Sequence, residues 1–315
     1  MIRYALVGLS DPRHHVLTAP FNRRRAGIRP VAVAEGHATD VRDRIATDTK
    51  VPGFAAHEAL LTSTLPDLVG VAVPSGAHPV ITAALDAGAG VLVLPPLADT
   101  VADLDDLAAR IAAGAAVTAV HTWRGHQTAT LAAELLARGR LGQLEGVALT
   151  IGAEVSGQER EAATYEAVDL FCRLTGAETG TVRVPIDEPA RDGEVLRLQA
   201  GAEVDGRSVR LEIWQTTGPA VDPDQPVAAP YAVEVIGSTG TVEWDVRSGR
   251  LVSVLGDAEP VVLSCGRPSR EADWVLTNLV RAVTRPLTGP GALVSTRVVL
   301  QAKESEAAGG TLRTW

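Results

Sequence analysis

Residues Tyr4-Ala5-Leu6-Val7-Gly8, close to the start of the chain, give the first indication of the fold. It is a short apolar run that ends on a glycine, and similar runs recur through the first third of the sequence with helical patterns between them. The predicted strands are Tyr4–Gly8, Pro30–Ala34, Leu68–Val73, Val91–Leu94 and Ala116–Val120. The predicted helices, in which apolar residues recur at helical spacing, are His57–Ser63, Pro79–Ala87 and Ala102–Ala113. This alternation predicts a parallel sheet with helices on both faces, and the nearly continuous Val, Ala and Leu suit strands buried on both sides.

The pattern changes after a helix predicted over Ala129–Arg138, which Gly139 ends. Polar and apolar residues now alternate, which indicates a largely antiparallel, open sheet with one covered face. The turn Gly237-Ser238-Thr239-Gly240 predicts a hairpin between two of its strands. The predicted strands are Leu144–Glu154, Thr181–Asp187, Val195–Glu203, Ser208–Thr216, Ala232–Ile236, Thr241–Asp245, Leu251–Leu255 and Val261–Ser264.

Three helices and one long loop complete the second part. Helices are predicted over Ala162–Leu174, over Arg270–Arg285 and from Arg297 to Ala307, the last capped by Ser295. Thr217–Pro230, which is rich in proline, glycine and aspartate, predicts a loop. A chain of 315 residues supports about two domains, so we expect an α/β protein with two of them.

Composition narrows the class of partner. The formal charge is −9 and is spread without acidic or basic blocks, which disfavours nucleic acid and anionic membrane and leaves a small-molecule or protein partner. No apolar run approaches the roughly 18 residues of a membrane helix, and no charged-then-apolar leader is recognisable. Cys172 and Cys265 form no CxxC pair, so we expect a cytoplasmic protein with both thiols free.

Several stretches, in order and spacing, resemble the glucose-fructose oxidoreductase/inositol dehydrogenase (Gfo/Idh/MocA) family. They are Ala5–Gly8, Val31–Glu35, Asp67–Pro74 with His78, Ala87–Pro96, Arg138–Gly142 and Val233–Val242. The resemblance covers nearly the whole chain. It implies a Rossmann dinucleotide-binding domain over residues 1–121, and an α/β substrate domain over 122–315 whose open sheet often forms homo-oligomer contacts.

The resemblance implies a dinucleotide loop at Gly8, where glycines let the backbone approach the pyrophosphate. Only this first glycine is present, because Ser10 and Arg13 stand where the second and third would be. Asp11-Pro12 is a good N-cap pair for the next helix, and the aspartate would repel a pyrophosphate. Arg13, His14 and His15 would supply positive charge in another geometry.

Glu35 ends the second predicted strand, where the resemblance implies an acid that holds the ribose 2′-OH. If NAD or NADP binds, this acid favours NAD; the alternative is a solvated acid at a strand end. Pro74 and His78 resemble the turn that lines the nicotinamide side in this family, and a purely structural role for both is the alternative.

The catalytic positions depart from the family. The resemblance implies a Glu-Lys-Pro segment after Val91–Val93, whose lysine exchanges a proton with the substrate hydroxyl. This chain has Leu94-Pro95-Pro96 there, and its only lysines are Lys50 and Lys303. Proline has no titratable group, so the usual proton relay cannot operate through position 95.

The resemblance also implies a helix on which a histidine lies three residues before an aspartate. The matching segment here is Tyr165-Glu166-Ala167-Val168-Asp169, with Glu166 in place of the histidine. Two carboxylates at this spacing lie on one helix face, where they can share a proton and raise one pKa, so that Glu166 acts as a replacement acid. The alternative is a solvated acidic helix face.

Further polar groups follow the last strand of the first domain. His121 and His126 can titrate near neutrality, but no third residue is spaced to complete a metal site with them. Arg124 resembles an arginine of the family and would hold a carboxylate or phosphate, or else tie the domains together. Cys172 reads as a small buried hydrophobe.

Two functions remain open from the sequence. The first is an NAD(P)-dependent oxidoreductase with a remodelled site for a small polar carbonyl or imine, since a protonated imine needs less help from a lysine. Glu166, His121 or water would supply its proton. The second is a fold that has lost redox catalysis and serves as a non-redox enzyme, a ligand-binding protein or a partner protein.

Overall fold

The computed structural model describes two compact units of the chain. The first comprises Met1–Thr122 and Glu271–Thr296, and the second comprises Trp123–Arg270 and Arg297–Trp315. The residues described are 1–11, 13–22, 27–186, 194–216, 231–246, 248–256, 258–264 and 291–315.

The first unit contains a parallel sheet that has six strands within the described residues. Its strands are β1 (Ile2–Val7), β2 (Ile28–Ala34), β3 (Gly53–Phe54), β4 (Leu68–Val71), β5 (Gly90–Val93) and β6 (Val117–Ala119). Its helices are α1 (His14–Leu17), α2 (Ala19–Asn22), α3 (Thr39–Thr49), α4 (His57–Thr64), α5 (Ala77–Asp86) and α6 (Val101–Ala112). The spatial order is β3-β2-β1-β4-β5-β6, so the order of the strands reverses between β1 and β4. In open α/β sheets this reversal is the place where ligands bind, outside the carboxyl ends of the strands.

The core of this unit lies on the central strands. All four residues of β4 are buried, as are the last four of β1. The Tyr4 hydroxyl donates to the carbonyl of Leu17 at 2.9 Å, and complete burial raises the pKa of Tyr4. A Cβ at Gly70 would collide with that hydroxyl, so the small residue on β4 makes room for the large one on β1.

The second unit contains a sheet with nine strands among the described residues. They are β7 (Leu144–Ile151), β8 (Thr181–Arg183), β9 (Glu194–Val204), β10 (Arg207–Thr216), β11 (Tyr231–Gly237), β12 (Gly240–Asp245), β13 (Arg250–Leu255), β14 (Val261–Ser264) and β15 (Arg313–Thr314). Their order is β14-β13-β12-β11-β7-β10-β9-β8-β15. Helices α7 (Gln127–Ala137) and α8 (Gly157–Thr175) belong to this unit, and α9 (Gly291–Ala307) begins in the first unit and ends in the second.

The fold class expected from the sequence is confirmed. The predicted strands and helices of the first unit agree with the structure to within two residues at each end. The predicted hairpin is present, because β11 and β12 pair antiparallel around Gly237 and Gly240. Alternate residues of β11 are buried, as a sheet with one covered face requires. One pair differs from its neighbours, since β7 and β10 run parallel.

Several details of the prediction were wrong. Helix α3 was missed because its apolar stripe is short: Val41, Ile45 and Ala46 pack only partly buried against the core, and no residue of the helix is fully buried. The strand predicted over Leu144–Glu154 ends at Ile151. Ser295 is not an N-cap: α9 begins at Gly291, and Ser295 is almost fully buried inside it. The predicted loop Thr217–Pro230, the predicted helix Arg270–Arg285, and the residues Pro12, Asp187 and Cys265 lie outside the described residues.

None of the described helices combines the length and the apolarity that crossing a lipid bilayer requires.

Candidate functional site

Gly8 brings the first loop against the edge of the parallel sheet at which the strands end, which we call the carboxyl edge. Its φ of +88° lies in the left-handed region that favours glycine. A Cβ at Gly8 would collide with the carbonyl oxygen of Ala72 and would lie 2.6 Å from Cγ1 of Val73. The Gly8 N–H donates to the carbonyl of Ala34 at 2.9 Å. Gly8 therefore joins the ends of β1, β2 and β4, on both sides of the reversal in strand order.

Glu35 follows β2 at the carboxyl edge, and its carboxylate contacts the glycine loop. Its Oε2 accepts the Leu9 N–H at 2.6 Å, and its Oε1 accepts the His37 N–H at 2.7 Å. Burial raises the pKa of Glu35, but hydrogen bonds from backbone N–H groups, His37 and Leu9 among them, outweigh it, so the pKa lies below its ordinary value and the group is ionised at neutral pH. The expectation of a solvated acid was wrong, because the residue is only 6% exposed and backbone N–H groups bind its carboxylate.

Asp11 and Arg13 form an ion pair within the same loop. The Arg13 backbone N–H donates to Asp11 Oδ1 at 2.7 Å. The guanidinium donates to the same carboxylate twice, from Nε to Oδ1 at 3.1 Å and from Nη2 to Oδ2 at 2.8 Å. Asp11 does not cap the next helix as expected, because α1 begins at His14 with Arg13 in the cap position. The Asp11 side chain instead closes a turn onto Arg13, and the pair neutralises the charge that would repel a pyrophosphate.

Arg13 also reaches the loop that follows β5. Its Nη2 donates to the carbonyl of Pro95 at 2.5 Å. Because β4 lies between β1 and β5 in the sheet, the Arg13 side chain crosses the carboxyl end of β4. Pro95 itself is buried and adds no titratable group to this edge.

The loop amides are largely engaged within the protein. Gly8 donates to Ala34, Leu9 to Glu35, and both Arg13 and His14 donate to Asp11. Helix α1 has only four residues, so it offers no extended N-terminus to an anion. Ser10 is exposed between these residues. A pyrophosphate at this loop would therefore depend on the Arg13 guanidinium for positive charge more than on backbone amides.

The turn after β4 is tied to its neighbours. The Gly76 N–H donates to Oδ2 of Asp99, which lies in the loop after β5, at 2.7 Å. His78 contacts Asp106 of α6, with 2.9 Å between Nε2 and Oδ2. Pro74 is half-buried in this turn. The contact made by His78 supports a structural role, since its ring binds a helix carboxylate.

His121 follows β6 and is completely buried. Its Nε2 lies 3.2 Å from the Ser295 hydroxyl of α9. The neighbouring Thr296 hydroxyl accepts the Leu97 N–H at 3.4 Å. Ser295 thus uses its hydroxyl on the buried histidine and not as a helix cap, which is a long-range contact that the local sequence does not signal.

In the second unit, Glu166 and Asp169 of α8 hold the turn that follows β6. Glu166 Oε2 accepts the Trp123 N–H at 3.0 Å. Arg124 donates to both oxygens of Asp169, with 2.8 Å from Nε to Oδ2. Burial lowers the pKa of Arg124, but the Asp169 carboxylate more than offsets this, so the pKa is raised and the guanidinium stays charged. The alternative interpretation of Glu166 and Asp169 as a solvated acidic helix face was wrong, because Glu166 is only 2% exposed and Asp169 only 5%.

Cys172 lies one turn further along α8. Burial, followed by the charge of Asp169, raises the pKa of the Cys172 thiol to about 12. The thiol is therefore protonated at neutral pH, unlike a nucleophile, and Cys172 is half-buried rather than buried as predicted. It forms no disulfide with any described residue. His126 is buried at the N-cap of α7, where its N–H donates to the Trp123 carbonyl.

Comparison with protein families matches residues 2–122 to an oxidoreductase family with an NAD-binding Rossmann fold, GFO_IDH_MocA. No curated protein sequence matches the chain.

Solved structures similar to the whole chain include three oxidoreductases. An inositol dehydrogenase homolog from Azotobacter vinelandii, complexed with NADH and myo-inositol, is 18% identical with a TM-score of 0.71, over 100% of this chain and 97% of that one. An aldose-aldose oxidoreductase from Caulobacter crescentus, complexed with glycerol, is 20% identical with a TM-score of 0.73, over 100% and 99%. An oxidoreductase from Agrobacterium radiobacter, in complex with NAD+, L-tartaric acid and magnesium, is 13% identical with a TM-score of 0.73, over 100% and 98%. At these identities the likeness establishes the fold.

Proposed function

We propose that this chain, whose residues 2–122 match the model of an oxidoreductase family with an NAD-binding Rossmann fold, binds a nicotinamide dinucleotide at the carboxyl edge of its parallel sheet. The observation that carries this proposal is the buried, ionised carboxylate of Glu35 at the end of β2. The Leu9 and His37 N–H groups hold its two oxygens in place at this edge, and an ionised carboxylate only accepts hydrogen bonds. Two ribose hydroxyls are donors of the right kind.

We propose NAD over NADP as the ligand. A 2′-phosphate would meet the negative charge of Glu35, whereas a 2′-hydroxyl would donate to it. Arg42 is the cation bonded to this segment, with its Nη1 on the Glu35 carbonyl at 3.0 Å. Its Nε is paired with Asp43 at 2.7 Å, so the negative charges of Glu35 and Asp43 together outweigh the single positive charge of Arg42 at this position.

The bound cofactor would supply or accept a hydride, and we propose a small polar carbonyl or imine as its reaction partner. Neither lysine replaces the proton donor of the family at position 95. Lys50 lies at the C-terminal end of α3, and Lys303 is paired with Glu161 at 2.7 Å. A protonated imine brings its own proton, so it would need only binding and orientation from the protein. The polar groups proposed for that are Arg124, Asp169, Glu166 and His121.

Within that set, the hydrogen bonds favour positioning roles. Asp169 is committed to Arg124 by two hydrogen bonds, so it serves as a fixed counter-ion. Glu166 has one carboxylate oxygen on the Trp123 N–H. His121 is completely buried against Ser295. Water or the substrate itself is therefore the proton source that we propose first, and Glu166 is the protein acid to test next.

The second candidate function is a fold without redox chemistry that binds a ligand or a partner protein. The observation that favours it is the glycine loop, where several amides are used internally and Arg13 crosses to Pro95. Such a loop would admit a dinucleotide only after rearrangement.

Calorimetric titration with NADH and with NADPH, after removal of any co-purified nucleotide, separates the two candidates. The redox proposal expects micromolar NADH binding, weaker NADPH binding, and a loss of at least tenfold in Glu35→Gln, about the value of one hydrogen bond to a charged group. Glu58→Gln, at an exposed position of α4, is the matched control and should leave the affinity unchanged. Absence of binding at millimolar NADH would reject the redox proposal and leave the second candidate.

We also propose a cytoplasmic homo-oligomer that forms through the open sheet of the second unit. A sheet with one polar and one covered face can pair with a second copy, and free thiols such as Cys172 suit a reducing compartment. Light scattering after size exclusion tests the assembly, and a monomer at micromolar concentration would contradict it. Imaging of a tagged protein tests the compartment, which a non-cytoplasmic signal would contradict.

A further inference from the structure

Asp11 and Arg13 form a shielded ion pair at the proposed cofactor site. The Asp11 side chain is 4% exposed and that of Arg13 14% exposed, so the pair is shielded from water. Two guanidinium bonds and one backbone bond join Arg13 to one carboxylate, and a further bond joins it to the Pro95 carbonyl. A shielded, bidentate pair of this kind is stronger than an ordinary surface ion pair.

The position of this contact matters because of the strand order. Arg13 starts from the loop after β1 and ends on the loop after β5, so its side chain lies across the end of β4. The reversal of strand order between β1 and β4 is where a dinucleotide lies in such sheets. The guanidinium therefore lies in the path that a ligand at this edge must take, and it must change partners or be covered by the ligand.

We infer that Asp11 sets the anion affinity of this loop by holding Arg13, and that a bound pyrophosphate takes the place of Asp11 as partner of the guanidinium. This inference rests on the proposed function. The guanidinium keeps the same kind of hydrogen bonds in this exchange, because a phosphate group, like a carboxylate, offers two oxygens for a bidentate contact. The Arg13 N–H keeps its bond to Asp11 Oδ1, so the turn is retained while the side chain moves.

The inference predicts that Asp11 acts against the ligand. Asp11→Asn keeps an oxygen for the Arg13 N–H but removes the charge, so Arg13 becomes available. The affinity for NADH and for inorganic pyrophosphate should rise by about tenfold, the value of one hydrogen bond between charged groups. Asp40→Asn is the matched control, because Asp40 is exposed in the first turn of α3. The substitution removes one negative charge from the same edge at a residue that is not the partner of Arg13.

A double-variant cycle distinguishes this exchange from simple repulsion between Asp11 and the ligand. If Asp11 acts by occupying Arg13, the gain from Asp11→Asn disappears when Arg13 is replaced by glutamine. If Asp11 only repels the anion through space, the gain persists in the Arg13→Gln background, and the inference is overturned. The same gain in Asp40→Asn would also overturn it.

Calorimetry with NADH and, separately, with pyrophosphate keeps the two proposals apart. NADH binding that is equal in wild type and Asp11→Asn would overturn the inference and leave the proposed function standing. No NADH binding in any variant, with Arg13-dependent tightening of pyrophosphate in Asp11→Asn, would reject the proposed function and support the partner exchange. No binding of either probe by any variant would overturn both.

A measurement on the wild-type protein covers the case in which Asp11→Asn fails to fold. Selective ¹⁵N labelling of arginine gives an Nε–H signal for Arg13, which is identified by its absence in Arg13→Lys. Addition of pyrophosphate should shift this signal as the guanidinium leaves Asp11. An unchanged Arg13 signal at saturating pyrophosphate or NADH would overturn the inference.

Discussion

Gly8→Ala is the substitution whose effect follows most directly from the geometry of the carboxyl edge. At a φ of +88° the new Cβ makes the left-handed conformation unfavourable by about 1–2 kcal/mol. It would also collide with the Ala72 carbonyl and lie 2.6 Å from Cγ1 of Val73, and such overpacking costs about 1–3 kcal/mol more. We expect the free energy of unfolding of the first unit to fall by about 2–5 kcal/mol in total.

Gly88→Ala separates the two contributions. Gly88 has a φ of +81°, but a Cβ there meets no atom within 4 Å. This control should therefore lose only the conformational part, about 1–2 kcal/mol. The difference between the two variants measures the close approach of the first loop to the end of β4.

The assay must report on the first unit. Tryptophan fluorescence does not isolate the first unit, because Trp123, Trp214, Trp244 and Trp315 belong to the second unit. Hydrogen exchange of peptides that cover β1 and β4, measured across a urea series, gives the local free energy of opening. If Gly8→Ala loses no more than Gly88→Ala, the collision with Ala72 is not a constraint and the account of this edge is refuted.

Three further predictions concern single groups. The folded pKa of Glu35 lies below its ordinary value, so its carboxylate stabilises the protein at pH values above the ordinary pKa, and this contribution is lost as pH falls through the folded pKa. Wild type should therefore lose more stability than Glu35→Gln between about pH 5 and about pH 3. Parallel acid denaturation curves would contradict this. Cys172, with its pKa raised to about 12, should react with iodoacetamide at neutral pH only after unfolding, as followed by mass spectrometry of its peptide; rapid labelling of the folded protein would show an exposed thiolate. Arg124→Lys should lower the stability of the second unit by about 1–3 kcal/mol in urea denaturation followed by tryptophan fluorescence, because lysine cannot make both hydrogen bonds to buried Asp169. The control Arg138→Lys, at an exposed position, should cost almost nothing. Equal losses in the two variants would count against the bidentate geometry.

Much of the architecture was predictable because it is written in local patterns. Buried parallel strands such as Leu68–Val71 are short, continuous apolar runs, and a hairpin such as Gly237–Gly240 needs particular turn residues. Helix α3 carries only a short apolar stripe, since Val41, Ile45 and Ala46 are partly buried and no residue of the helix is fully buried. The local signal at Ser295 is misleading, because serine favours helix caps, yet here the hydroxyl contacts buried His121 from inside a helix.

The candidate site was likewise predictable from the sequence only in part. Gly8 and Glu35 end adjacent parallel strands, so the sequence alone predicted that they lie near each other, and the family resemblance implied a dinucleotide ribose beside Glu35. It also excluded a lysine relay at position 95, because proline carries no titratable group.

Only the tertiary structure decided what these groups bind. It buried Glu35 under two backbone N–H groups, paired Asp11 with Arg13, and carried that arginine to the carbonyl of Pro95. It also buried Glu166 on the Trp123 N–H, where the sequence pattern favoured a solvated acid. The physical reason is that short-range patterns specify strands, helices and turns, whereas the partner of a charged side chain is set by whichever distant group the fold brings within about 3 Å.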